Sequence, residues 1–113
     1  MNRLEKLRQD LWETMHLTPL YPNDLLENAK DPDYLNISFS KMNIGLMAEL
    51  YFKDADQIVK AEYVFDNNDC LITAKIIEKE DEVNIYDREQ RKMEIVNKII
   101  EEFGLEELND IIA

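Results

Sequence analysis

The chain has 113 residues, 45% of them hydrophobic, enough for one core and too few for two good ones. Twenty-five acidic residues against 13 basic ones give a net charge of −12, a field that disfavours direct binding to nucleic acid or to an anionic membrane. A lone cysteine, Cys70, excludes an internal disulfide framework. No apolar run approaches the ~20 residues that span a bilayer, and the opening Met1-Asn2-Arg3-Leu4-Glu5-Lys6 lacks the basic-then-apolar order of a secretory signal. The expectation is a single cytoplasmic domain.

In the first segment Leu4, Leu7, Leu11, Trp12 and Met15 fall on one helical stripe, and Asn2 with Glu5 forms a capping box. This predicts a helix from Arg3 to His16 with Trp12 buried against a sheet. His16, the only histidine, then closes the helix as an end residue rather than a catalyst. Pro19 and Pro22 stop that helix, and Asn23 is the candidate cap for a short helical turn through Asp24–Asn28.

Tyr34–Ser40 alternates, with Leu35, Ile37 and Phe39 opposite Asn36 and Ser38, and reads as the first strand. Gly45 marks a turn or bulge. The central stretch Leu46–Ile77 then holds three strand-like runs between acidic turns, which implies an antiparallel meander. One face carries Leu46, Ala48, Leu50, Phe52, Val59, Ala61, Tyr63, Phe65, Cys70, Ile72, Ala74 and Ile76. The other mixes Glu49, Lys53, Lys60, Glu62, Thr73 and Lys75 with Met47, Tyr51, Ile58, Val64, Leu71 and Ile77, more apolar area than a wet face needs. A one-residue bulge would exchange the faces.

Glu78–Glu82 is charged enough to read as an exposed strand end or loop. After Asp87, which forms a second capping-box match with Gln90, the residues Met93, Val96, Ile100 and Phe103 recur at helical spacing, widened by Ile95 and Ile99. Gly104 sits where a left-handed cap belongs, and a last short helix spans Leu105 to Ile112 with Leu108, Ile111 and Ile112 apolar. The fold expected is α+β: a four-stranded antiparallel meander flanked by an N-terminal helix and a C-terminal helical segment.

No catalytic, metal or cofactor constellation emerges. Cys70 lies on the core face of its strand with no base placed beside it, which favours a buried, inert thiol. Asp66-Asn67-Asn68-Asp69 lacks the glycine and distal glutamate of a calcium loop and reads as a hairpin turn. Gly45 and Gly104 are the only glycines, so no phosphate-cradling loop exists.

The uneven charge points instead to protein binding. Residues 1–16 are neutral overall, whereas residues 93–113 carry Lys98 against Glu94, Glu101, Glu102, Glu106, Glu107 and Asp110. The candidate partner-binding residues are Glu101, Glu102, Glu106, Glu107 and Asp110, with Asp54, Asp56, Asp66 and Asp69 in the turns and Tyr51 on the open face. Together they suggest a non-enzymatic module for a basic protein, with the carboxylates imitating phosphates in the groove of a nucleic-acid-binding protein. In size and charge alone the chain resembles small acidic inhibitors that phages direct against defence proteins, anti-CRISPR proteins among them, and no motif ties it to a family. The alternatives are a homodimeric scaffold or peptide chaperone that buries Tyr51, Met47, Ile58 and Leu71 across the open face, and an enzyme with an unrecognised carboxylate site.

Overall fold

The computed structural model describes residues 2–112. They form α1 (Arg3–His16), α2 (Pro22–Asn28), β1 (Tyr34–Met42), β2 (Gly45–Asp54), β3 (Gln57–Asp66), β4 (Leu71–Glu78), β5 (Asp81–Asp87), α3 (Arg88–Phe103) and α4 (Leu105–Ile112), an α+β fold. Two compact units result, one of residues 19–87 with α2 and the sheet, the other of residues 2–18 and 88–112 with α1, α3 and α4. No described helix is long and apolar enough to cross a membrane.

The sheet is an antiparallel meander in the order β1-β2-β3-β4-β5. It has five strands rather than four. The charged run Glu78–Glu82, expected as a strand end or loop, ends β4 and begins a further strand: Glu78 pairs with Asp81 across the two-residue turn Lys79-Glu80, and Lys79 adopts φ +57° to close it. Neighbouring β2 and β3 keep the alternation expected of them, because Ala48, Leu50, Val59, Ala61 and Phe65 are all buried. Leu25 of α2 is fully enclosed and joins this core. Pro22 stands at the first helical position, where a missing N–H costs nothing, and Asp24 Oδ2 accepts from the Tyr21 N–H at 2.8 Å. Asn23, expected as the cap, therefore lies inside the helix.

Bulges alter β4 and β1. In β4, Leu71 faces Phe65 while Thr73 faces Val64, so Ile72 is an extra residue and the faces exchange before it. Leu71, assigned to the open face by simple alternation, is buried in the core, and alternation resumes at Ala74. Cys70 is correspondingly only half-buried in the turn, not in the core: its N–H donates to Asp66 Oδ1 at 3.0 Å and its thiol lies 3.8 Å from the Asn68 carbonyl oxygen. A second bulge between Tyr34 and Asn36 leaves Leu35 exposed while Ile37 packs on the core.

In the helical unit Asn2 caps α1, its Oδ1 accepting from the Glu5 N–H at 2.8 Å. The buried face of α1 is Leu7, Leu11 and Thr14, which meets Ile95 and Ile99 of α3 and Leu108 of α4. Thr14 tolerates burial because its hydroxyl donates to the Asp10 carbonyl at 2.7 Å. Trp12, expected to be buried, is 55% exposed, since the buried stripe is centred on Leu7 and Leu11 rather than on Trp12 and Met15. In α3 the stripe is likewise centred on Ile95 and Ile99, and Met93 is 62% exposed. Gly104 has φ +93° and donates to the Ile100 carbonyl at 2.9 Å, the left-handed cap that separates α3 from α4. Of the apolar residues expected to pack in α4, Leu108 is buried and Ile111 packs beside it, while the side chain of Ile112 lies outside the described residues.

Candidate interaction surfaces

Meander topology gathers acidic turns at one end of the sheet. The segment leading into β1, the β2–β3 turn and the β4–β5 turn all lie at that end, and the Lys53 N–H donates to the Asp33 carbonyl at 2.8 Å. Asp31, Asp33, Asp54, Asp56, Glu78, Glu80 and Asp81 therefore share it, all exposed, against Lys53, Lys79 and a Lys30 already paired with Glu27. Among the described residues none of the seven carboxylates enters an ion pair. Four strand spacings of about 4.8 Å make the sheet end a row about 20 Å across. Two tight turns hold it, with Ala55 at φ +56° and Lys79 at φ +57°, each a non-glycine residue in the left-handed region. Among the described residues no three His, Cys, Asp or Glu side chains converge as metal ligands.

Sequence reasoning reached only part of this row. Asp54 and Asp56 are in it, but Asp66 and Asp69 lie at the opposite end of β3. Asp66 Oδ1 accepts from the N–H groups of Asn68 and Cys70 at 2.8 and 3.0 Å, so this carboxylate organises its own turn. Asp31, Asp33, Glu78, Glu80 and Asp81 were missed, because only the strand order brings them beside Asp54 and Asp56.

In the helical unit Glu101, Glu106, Glu107 and Asp110 are exposed. Glu102 is engaged: its two oxygens accept from Arg3 Nε and a second guanidinium nitrogen, each at 2.9 Å, joining the start of α1 to the end of α3. The Arg3 hydrogen bond draws the Glu102 carboxyl below its ordinary range. The same unit carries a groove of about 410 Å³ lined by Arg8, Gln9, Leu11, Trp12, Met15, His16 and Ile111. Trp12 leans on His16 with ring centroids 5.1 Å apart, and Arg8 makes no ion pair among the described residues. Arg8, Trp12 and Met15 are spaced as a second helical stripe, the signal by which the sequence could have revealed this groove.

On the open face of the sheet the mixed residues are ordered. Lys60 Nζ lies 2.8 Å from Glu49 and 2.9 Å from Glu62, and Lys75 Nζ lies 3.5 Å from both Glu62 and Glu82, so alternating charges run from β2 to β5. Hydrogen bonds to Glu49 and Glu62 raise the Lys60 pKa against the opposing pull of burial, and the Lys60 bond holds Glu62 below its ordinary value. Tyr51, proposed from sequence as a partner contact, lies under Lys60 Nζ at 5.8 Å from its ring centroid. Ile58 remains exposed on this face, whereas Leu71 does not belong to it.

The chain matches no known family model, no curated protein and no solved structure.

Proposed function

We propose that this protein is a non-enzymatic interaction module that presents the acidic end of its sheet to a basic protein, with a nucleic-acid-binding protein the partner its charge suits best. The observation that carries the reading is the row Asp31, Asp33, Asp54, Asp56, Glu78, Glu80 and Asp81, exposed and without an ion pair among the described residues. Asp31 Oδ1 accepts from the Asp33 N–H at 2.9 Å, and the five carboxylates beyond these two residues, Asp54, Asp56, Glu78, Glu80 and Asp81, lie on or beside the two tight turns and offer a fixed array to Lys and Arg side chains, with little ordering left to be done on binding. A net charge of −12 extends the attraction beyond contact distance and speeds encounter with a positive surface. Phosphate-binding grooves carry the matching potential, so a carboxylate row of this width competes with a nucleic-acid backbone for the same Lys and Arg.

The open face offers less to such a partner, because Glu49, Lys60, Glu62, Lys75 and Glu82 already satisfy one another. The reading is tested by immobilising the protein, passing nuclease-treated lysate over it and eluting with a salt gradient. A basic protein that elutes as salt rises and is displaced by added DNA or RNA supports the module. Recovery insensitive to both salt and nucleic acid contradicts it.

A further inference from the structure

The two edges of the sheet are not equally protected. An edge strand presents unpaired N–H and C=O groups, and folded proteins usually blunt it with charge, proline or a bulge. At one edge β5 has these devices: Asp81, Glu82 and Asp87 are charged, and its pairing with β4 is interrupted at Ile85. At the other edge β1 lacks them over most of its length. Its bulge is confined to Leu35, and from Asn36 to Met42 it keeps regular register with β2. Tyr34–Ser40 contains no charge and no proline, in a chain of which 34% is charged. Among the described residues nothing pairs with the outer side of Asn36–Met42, and all of these residues except Ile37 are exposed.

We propose that β1 is a self-pairing edge, joining the β1 of a second copy in antiparallel fashion to form a continuous ten-stranded sheet. Charge selects both the occupant and the direction. Two copies at −12 repel unless they meet where charge is lowest, and Asn36–Met42, with Lys41 as its one ion, is such a place. Antiparallel pairing sends the two acidic ends to opposite ends of the joined sheet. The seven paired residues alone, at about 3.4 Å each, hold them more than about 24 Å apart, over three Debye lengths at physiological salt, whereas parallel pairing would set them side by side. A twofold axis through the middle of the regular run sets Phe39 against Phe39 of the partner copy, Ser38 against Ser40 and Ile37 against Lys41. No like charges then face each other, and two exposed aromatic rings cover one another. The inference is independent of what the acidic end binds.

Sedimentation velocity over rising protein concentration, at low and high salt, tests it with three forms of the full chain: wild type, Phe39→Lys and Phe39→Glu. Phe39 is partly exposed in the single copy, so both substitutions spare the core. The expected result is a wild-type dimer that grows with concentration and salt, each variant monomeric by itself, and a dimer restored when the two variants are mixed. A wild type that stays monomeric at millimolar concentration in high salt overturns the proposal, as it would if β1 serves an extended segment of another protein. Variants that dimerise as well as the wild type, or a mixture that stays monomeric, overturn it equally.

Discussion

Glu49 and Glu62 stand directly opposite each other on β2 and β3, and Lys60 Nζ lies between them, 2.8 Å from one carboxylate and 2.9 Å from the other. Like charges facing across a strand pair are destabilising, so this lysine converts a repulsive pair into an attractive trio. The site is neither fully wet nor dry, with about a quarter of each of Lys60 and Glu49 still exposed, which dampens the gain relative to a buried ion pair. Lys60→Met is expected to lower stability by about 1–2 kcal/mol in chemical denaturation. Adding Glu49→Gln should recover part of that loss. Strict additivity of the two substitutions would show that Lys60 does not act through the opposed pair.

The trio also predicts an acid response. Lys60 donates to Glu62 and lowers its pKa from the ordinary 4.5, outweighing the upward push of burial. A carboxylate depressed in the fold stabilises it above the unfolded pKa and loses that contribution as pH falls through the folded value. The Glu62 contribution is therefore complete at neutral pH and disappears on acidification below about 4.5. Wild type and Glu62→Gln, compared by denaturation from neutral to acid pH, should differ most at neutrality and converge below that point. A constant difference would contradict the assignment. Glu102 is depressed by Arg3 in the same direction, but this exposed pair should add only a small, salt-sensitive part.

The two glycines should respond unequally to alanine. Gly45 has φ +149°, and a Cβ there would run into the Phe65 carbonyl oxygen and the Asp66 backbone on the neighbouring strand. Gly104 has φ +93° with open space around the same position. Gly104→Ala should cost about 1–2 kcal/mol, from backbone conformation alone. Gly45→Ala should cost more, with loss of β2–β3 pairing visible in hydrogen exchange. Equal costs would show that β3 yields freely at Phe65.

Trp12 is the only tryptophan, so its fluorescence reports directly on the helical unit. Emission typical of a water-exposed indole and ready quenching by acrylamide are expected in the folded protein, as is little change on unfolding. A shielded indole that becomes quenchable only on denaturation would contradict the exposed position.

The sequence made α1, α3, α4 and the inner strands legible because their apolar residues recur at the helical or strand period without interruption. Leu7 and Leu11, or Ala48 and Leu50, follow those periods cleanly. It misread Cys70 and Leu71 because the extra residue at Ile72 exchanges faces, and nothing in the local composition announces that bulge. β5 was hidden by charge: Glu78–Glu82 reads as a strand end or loop, and only the turn at Lys79 brings the chain back on β4. Only two of the seven carboxylates of the acidic row were visible, for a related reason. Asp54 and Asp56 lie two residues apart in one turn, whereas Asp33 and Glu80 join them only through strand order. Trp12 was misplaced because Leu4, Leu7, Leu11, Trp12 and Met15 span more of the helix than one neighbour can cover, and periodicity does not say which edge of so wide a stripe stays exposed.

The most direct test of the acidic end is the association rate with the captured basic protein, measured across a salt series for two variants of equal charge change. One replaces Asp54, Asp56, Glu80 and Asp81 with Lys, the other Glu101, Glu106, Glu107 and Asp110. Binding through the sheet end predicts that the first variant associates far more slowly and with a flattened salt dependence, while the second stays close to wild type. Equal slowing in both would mean that total charge, not the acidic end, attracts the partner, and would contradict the account.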